Sequence, residues 1–108
     1  MKNIFENIPK VLKEELFENI IDNKGIRIER IVSDGQATPQ GEWLIQDMDE
    51  WVILLSGYAE LSFDDAISNI KMKPGDYIFI KASQRHRVDM TSLNKKTVWL
   101  AVHLCCDV

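Results

Sequence analysis

Cysteine is scarce in this 108-residue chain: there are two, at the adjacent positions Cys105 and Cys106. Neighbouring thiols cannot staple distant segments, so a disulfide framework is excluded and two reduced thiols in a cytoplasmic protein are expected. Histidine is equally sparse, with His86 and His103 only, which puts a three-histidine metal site out of reach. Long apolar runs are missing. None exceeds the five residues of Trp51 to Leu55, against the roughly 18 to 20 that cross a bilayer. Met1 to Glu6 carries no apolar signal segment, so no membrane partner is expected. Basic charge is short as well: 13 Lys and Arg face 17 Asp and Glu, a net charge of −4. Without a basic cluster there is no footprint for a phosphate backbone, and no nucleic-acid partner is expected. A Gly-rich phosphate loop, a G-x-S-x-G elbow, H-E-x-x-H and paired C-x-x-C knuckles are all lacking.

What is present is the balance of an ordinary globular domain, 45% hydrophobic and 28% charged, long enough for one core. The first stretch has helical spacing. Leu12, Leu16 and Ile20 recur every four residues with Phe17 and Ile21 beside them, and Lys13, Glu14, Glu18 and Asn19 fill the other side. Pro9 suits a first turn and Gly25 a left-handed stop, which predicts one amphipathic helix over about residues 10–22. The expected organisation is a helical segment, 1–25, packed on a β-barrel domain, 26–108.

From Gly25 onward the period becomes two. Arg27–Val32, Tyr58–Phe63, Arg85–Met90 and Val98–Leu104 alternate or are β-branched, and Trp51–Leu55 is apolar on both faces. Ser56-Gly57, Asp64-Asp65, Pro74-Gly75-Asp76 and Leu93-Asn94-Lys95 punctuate them as turns. Roughly seven or eight short strands with no helix between them predict an antiparallel barrel or sandwich. Within them, alternation groups Ala59 with Leu61 and Phe63, His86 with Val88 and Met90, and Trp99 with Ala101 and His103. The outer apolar face Trp51, Ile53 and Leu55 predicts a homodimer where the helix leaves it uncovered.

The spacing around the apolar run carries the most information. Glu50 is followed at x6 by Gly57, and Pro74-Gly75-Asp76 leads to His86. Here the chain resembles the cupin superfamily, whose two motifs are G-x5-H-x-H-x3,4-E-x6-G and G-x5-P-x-G-x2-H-x3-N. Glu50 and Gly57 match the first motif, and Gly75 and His86 the second. Leu44 and Gln46 stand where the first motif has its histidines and Thr38 where it has its opening glycine. In the second motif Lys81 stands for the proline, Ser83 for the internal glycine and Met90 for the asparagine. The resemblance spans about residues 26–104. It extends to small bacterial cupins sharing the Gln46–Trp51, Arg85–Val88 and Trp99–His103 segments. It implies a double-stranded β-helix, a small antiparallel jelly roll, and no particular reaction.

Under that resemblance the candidate ligand pocket is Trp43, Gln46, Glu50, His86, Trp99 and His103. Gln46, Glu50 and His86 are the candidate metal ligands. An imidazole and a carboxylate suit a divalent zinc, iron, manganese or nickel ion, while an amide carbonyl is a weak donor, so a loosely held metal is expected at most. Three functions follow: a small-molecule-binding cupin, a metal-dependent enzyme of the oxygenase or isomerase kind, and a non-catalytic regulatory or structural dimer. Asp47 and Asp49 are expected to face solvent, and Arg85 and Arg87 to lie on a solvated strand face.

Overall fold

The structure, a computed structural model, describes residues 1–105. Cys106, and with it the question of paired thiols, lies outside the described residues, while Cys105 is exposed and free. Eight strands follow one another: β1 Leu16–Asn23, β2 Ile26–Ser33, β3 Asp49–Ser56, β4 Ala59–Phe63, β5 Ile70–Met72, β6 Tyr77–Ile80, β7 His86–Thr91 and β8 Thr97–Leu104. They form a five-stranded sheet in the order β1-β2-β8-β3-β6 and a three-stranded sheet in the order β5-β4-β7. Every pairing is antiparallel. The inner faces close on Val52, Leu54, Ala59, Leu61, Phe63, Met72, Ile80, Trp99 and Ala101, each apolar side chain contributing about 1.5–3 kcal/mol of burial for a Leu-sized group.

There is no helix among the described residues, which overturns the one expected over residues 10–22 and the helical segment 1–25. Leu16 to Asn23 is instead the edge strand of the larger sheet, so the barrel begins ten residues earlier in the chain than Ile26. The reason is a β-bulge. The register with β2 slips between Asn19 and Ile21, leaving Ile20 without a partner. An inserted residue shifts the alternation by one position. Apolar residues at 16, 17, 20 and 21 then reproduce the spacing of a helix face while lying on two faces of a strand. Gly25 does have a positive φ of 78°, but in the Lys24-Gly25 hairpin between the paired Asn23 and Ile26, where such a residue is equally at home.

Other bulges act the same way. Between β4 and β7, Glu60 pairs Met90 while Leu61 pairs Val88, so Asp89 is the extra residue. His86 and Thr91 are buried, and Met90, opposite the half-buried Glu60, faces away from the core rather than sharing the face of His86 and Val88. Bulged Asp89 is itself tied down: it accepts hydrogen bonds from Ser62 Oγ, from Asn69 Nδ2 at 2.7 Å and from Arg87 Nε at 2.9 Å. Burial alone would raise its carboxyl, but the bonds from Ser62, Asn69 and Arg87 outweigh burial and hold it below the ordinary aspartate value of 3.8. A lowered folded-state pKa contributes stability that is present above the ordinary value and lost as pH falls through the folded one. Asp89→Asn is therefore expected to cost about 1 kcal/mol at neutral pH and to flatten the loss of stability below about pH 4. Urea titrations at stepped pH check this, and an unchanged acid limb would refute it.

Residues 1–15 form an arm without regular structure along the outside of β1 and β2. The anchor is Arg30, only 6% exposed. Its guanidinium pairs with Glu18, with Nε at 2.6 Å, and donates to the carbonyls of Ile4 at 3.0 Å, Glu6 at 2.5 Å and Asn7 at 3.4 Å. Further along, Gln36 Nε2 donates to the Leu12 carbonyl at 2.9 Å and Lys96 Nζ to that of Lys10 at 2.7 Å. The arm leaves the other half of the outer face open. Ile28, Val102, Trp51 and Phe79 stand in register across four strands, Trp51 stacks on Tyr77 at 5.4 Å, and Tyr77 and Phe79 are 66% and 47% exposed. No helix of the described residues is long and apolar enough to cross a membrane.

Candidate functional site

At one end of the barrel three strands bring polar side chains inward. Register places Arg27 of β2 opposite His103 of β8, and His103 opposite Glu50 of β3. On the facing side, Leu44 forms an isolated bridge with His86 at the start of β7. Its backbone bonds, Leu44 N to His86 O at 2.6 Å and His86 N to Leu44 O at 3.0 Å, hold the 44–46 segment against β7. Two more bonds close the corner: Ser83 N donates to Gln46 O at 2.7 Å and Ala82 N to Asp49 Oδ1 at 2.8 Å. Asp49 is thus half-buried and occupied, not solvated as its turn position suggested. Ser83, standing where the family motif has glycine, adopts a φ of 66°, the left-handed region that glycine enters without strain.

These elements line an open-sided cavity of about 350 Å³. Of the six residues expected in a pocket, Gln46, Glu50, His86, Trp99 and His103 line it. Trp43 is not in the lining and is 39% exposed. The apolar part of the wall includes Phe17, Ile31, Val52, Leu61, Ile80 and Val88. Three polar residues that the sequence reading passed over complete it: Glu15 from the arm, and Arg27 and Glu29 from β2. Alternation was their only signal, and it points the wrong way. Arg27-Ile28-Glu29 reads as isoleucine in and charges out, whereas the fold turns the charges to the cavity and leaves Ile26 42% exposed on the outer face.

Each polar group has defined company. Gln46 Nε2 donates to Glu50 Oε1 at 2.7 Å, and Glu50 is 8% exposed. His86, 5% exposed, has Nδ1 3.1 Å from the Gln84 carbonyl. A carbonyl only accepts, so Nδ1 carries a proton, and in the neutral ring Nε2 presents the lone pair. Trp99 Nε1 donates to Ser33 Oγ at 3.1 Å, which in turn donates to Glu15, so the arm seals one wall. His103 Nε2 lies 2.8 Å from Glu29 Oε1. Arg87, expected on a solvated face, is instead a clamp: it pairs with Asp89 and donates to the carbonyls of Thr38, Pro39 and Glu42, fixing the loop that leads to Leu44 and Gln46.

The donor set falls short of what the divalent metal implied by the motif resemblance would require. Leu44 offers no donor, and the Gln46 amide turns its N–H toward the Glu50 oxygen, so that oxygen faces a hydrogen-bond donor. Among the described residues no group of three His, Cys, Asp or Glu side chains is arranged to hold a metal. Catalytic sites for such ions keep three protein ligands, and Glu50 and His86 are two. The residues present do not fit a tightly bound ion.

Comparison with known proteins bears on the same region. The cupin domain family matches residues 31–103. Among curated proteins none matches this chain. Of solved structures, a provisionally named mannose-6-phosphate isomerase from Ralstonia eutropha JMP134 is 40% identical, covers 98% of this chain and 98% of its own, and superposes with a TM-score of 0.95. A cupin superfamily protein from Desulfitobacterium hafniense DCB-2 is 18% identical, with coverage of 91% and 84% and a TM-score of 0.73. A polyketide cyclase from Streptomyces resistomycificus is 21% identical, with coverage of 86% and 66% and a TM-score of 0.71. The last two show likeness of fold alone.

Proposed function

Because this chain belongs to the cupin domain family, and a family fold does not choose a chemistry, we propose from the site itself that it binds a small polar organic molecule in the barrel cavity without needing a metal. One observation carries this reading: five separately placed polar or aromatic residues, Gln46, Glu50, His86, Trp99 and His103, converge on a single cavity of about 350 Å³. That volume, and polar side chains converging within an apolar wall, are those of small-molecule sites. The Gln46–Glu50 pair and His86 Nε2 are the contacts we assign to the ligand at the motif side. Glu15, Glu29 and Glu50 outnumber Arg27 among charged lining residues, which favours an uncharged ligand over an anion.

A second reading, isomerase chemistry on a phosphorylated sugar, is favoured by the name given to the 40% identical Ralstonia protein. In it Glu50 would take and return the migrating proton, with His86 beside the reacting oxygens. The carboxylate-rich wall counts against a phosphate dianion, so it stands second. The homodimer belongs to the first reading too, with a second copy over Trp51, Tyr77 and Phe79.

The test is a small-molecule library screened by ligand-observed NMR and thermal shift on wild type, Glu50→Gln and His86→Ala, beside elemental analysis and melting with EDTA. We expect compounds that bind wild type and are lost, by about tenfold or more in affinity, in both folded variants, with melting indifferent to EDTA. Near-stoichiometric metal and a melting point lowered by EDTA would reverse the metal-free reading. Turnover of mannose 6-phosphate would move the isomerase reading into first place. Variants that alter only melting temperature would leave the cavity a core feature.

A further inference from the structure

On the wall opposite His86, three residues outside both family motifs form a second polar group. His103 Nε2 and Arg27 Nε approach the same carboxylate oxygen, Glu29 Oε1, at 2.8 Å and 3.7 Å. The first is a hydrogen bond; the second is too long to be one. Two atoms are left over. Arg27 Nε and His103 Nδ1 are buried and have no hydrogen-bond partner among the described residues, and His103 as a whole is 4% exposed. A buried polar atom without a partner is uncommon and costly, so a pair of them beside a cavity marks a place where a partner is brought in.

The chemistry of the two atoms selects that partner. Glu29 accepts, so His103 Nε2 holds the proton and, in the neutral ring, Nδ1 is an acceptor. Arg27 Nε is a donor and nothing else. A carboxylate or phosphate oxygen would answer Arg27 but set lone pair against lone pair at Nδ1. An ammonium group would answer Nδ1 and repel Arg27. A hydroxyl does both with one atom, accepting from Arg27 and donating to His103. Arg27 and His103 are direct cross-strand partners, a spacing at which one oxygen can bridge two side chains. Arg27 is also the movable half. Its side chain is 38% exposed, and with no hydrogen bond to Glu29 to break, it can turn aside to uncover Nδ1 and close again over an incoming group.

Deepening the cavity reading above, on which it rests, we propose that Arg27, Glu29 and His103 form a hydroxyl-recognition subsite, and that the ligand class is a neutral polyhydroxylated molecule, a sugar or polyol. Gln46–Glu50, on the strand paired beside His103, and His86 on the far wall engage its other hydroxyls. The probes are a panel of neutral hexoses, pentoses and alditols, with the matching deoxy compounds, sugar acids and sugar phosphates. They are titrated into the full-length wild type and into His103→Gln, Arg27→Met and Glu50→Gln, each first checked for a cooperative melt. His103→Gln keeps a donor for Glu29 and removes the Nδ1 acceptor.

Expected is binding of one or more neutral members, weakened about tenfold by His103→Gln and by Arg27→Met. Loss of one particular hydroxyl should cost the same in wild type and nothing further in His103→Gln. Long-range ¹⁵N spectra should show the His103 Nδ1 resonance moving on saturation. If Glu50→Gln abolishes binding while the His103 and Arg27 variants bind as wild type and Nδ1 does not move, the subsite is refuted and the cavity reading stands. If only acids or phosphates bind, the hydroxyl class is refuted and the cavity reading again stands. If no panel member binds and the broad library finds no cavity ligand either, both fall.

Discussion

Gly57→Ala is expected to be the most damaging single substitution in the chain, lowering stability by about 2–5 kcal/mol. Gly57 has a φ of 89°, a backbone conformation that costs other residues about 1–2 kcal/mol. A Cβ there would also lie 2.6 Å from the Thr97 Cα and 2.8 Å from its Cβ. Those atoms belong to the first residue of β8, 0% exposed, so relief requires moving a central strand, and overpacking of that kind adds about 1–3 kcal/mol. Thr97 also exchanges hydrogen bonds with the Tyr58 backbone, so the shift would loosen the β3–β4 turn. In a domain of this size the melting temperature should fall by roughly 10–30 °C. Circular dichroism melts settle it: a fall of only a degree or two would mean that β8 yields more easily than its burial implies. The glycine that closes the family's first motif is, in this chain, a steric requirement of the barrel and is not among the residues that line the cavity.

Arg30→Ala is expected to cost about 2–4 kcal/mol and to release the arm. Removing one partner of a buried ion pair costs more than the pair contributes, because the other charge is stranded. Glu18 is 42% exposed and stays partly hydrated, which places the effect below the upper end of that range. The three carbonyls of Ile4, Glu6 and Asn7 lose their donor together. Urea unfolding gives the magnitude, and limited proteolysis gives the location, with new cleavage expected ahead of β1. An arm as protected as in wild type would show that the Leu12 and Lys10 contacts suffice to hold it. The consequence reaches the cavity: Glu15, at the end of the arm, accepts from Ser33, which accepts from Trp99, so ligand affinity should fall with the arm.

Much of the cavity lining is legible in the sequence. Glu50 and His86 stand at motif spacing, and on β8 the alternation that groups Trp99, Ala101 and His103 survives intact because that strand pairs with β2 without a bulge. The strands and turns from Gly25 onward were legible for the same reason: period two and turn residues are local properties. The spacing over 10–22 reads as a helix because a bulge at Ile20 imitates helical periodicity, and alternation places Met90 beside Val88 because it does not register the bulge at Asp89 that reverses its face. Trp43 carried an aromatic ring and a polar handle, as a pocket residue would, yet its loop leaves it outside the lining.

By its own composition and spacing, then, the chain determined the β-barrel from Gly25 onward, the family, the positions of Glu50, Gly57 and His86, and the shortage of metal donors. Tertiary structure alone decided the rest. Which side of β2 faces inward is set by pairing with β8 and β1, not by hydropathy, and that choice turns Arg27 and Glu29 to the cavity while exposing Ile26. Bulges depend on how a strand's neighbours run, and side-chain hydrogen bonds such as Arg30–Glu18 and His103–Glu29 join residues 12 and 74 positions apart. Neither leaves a local trace, because the energy that selects them is released only when distant segments meet.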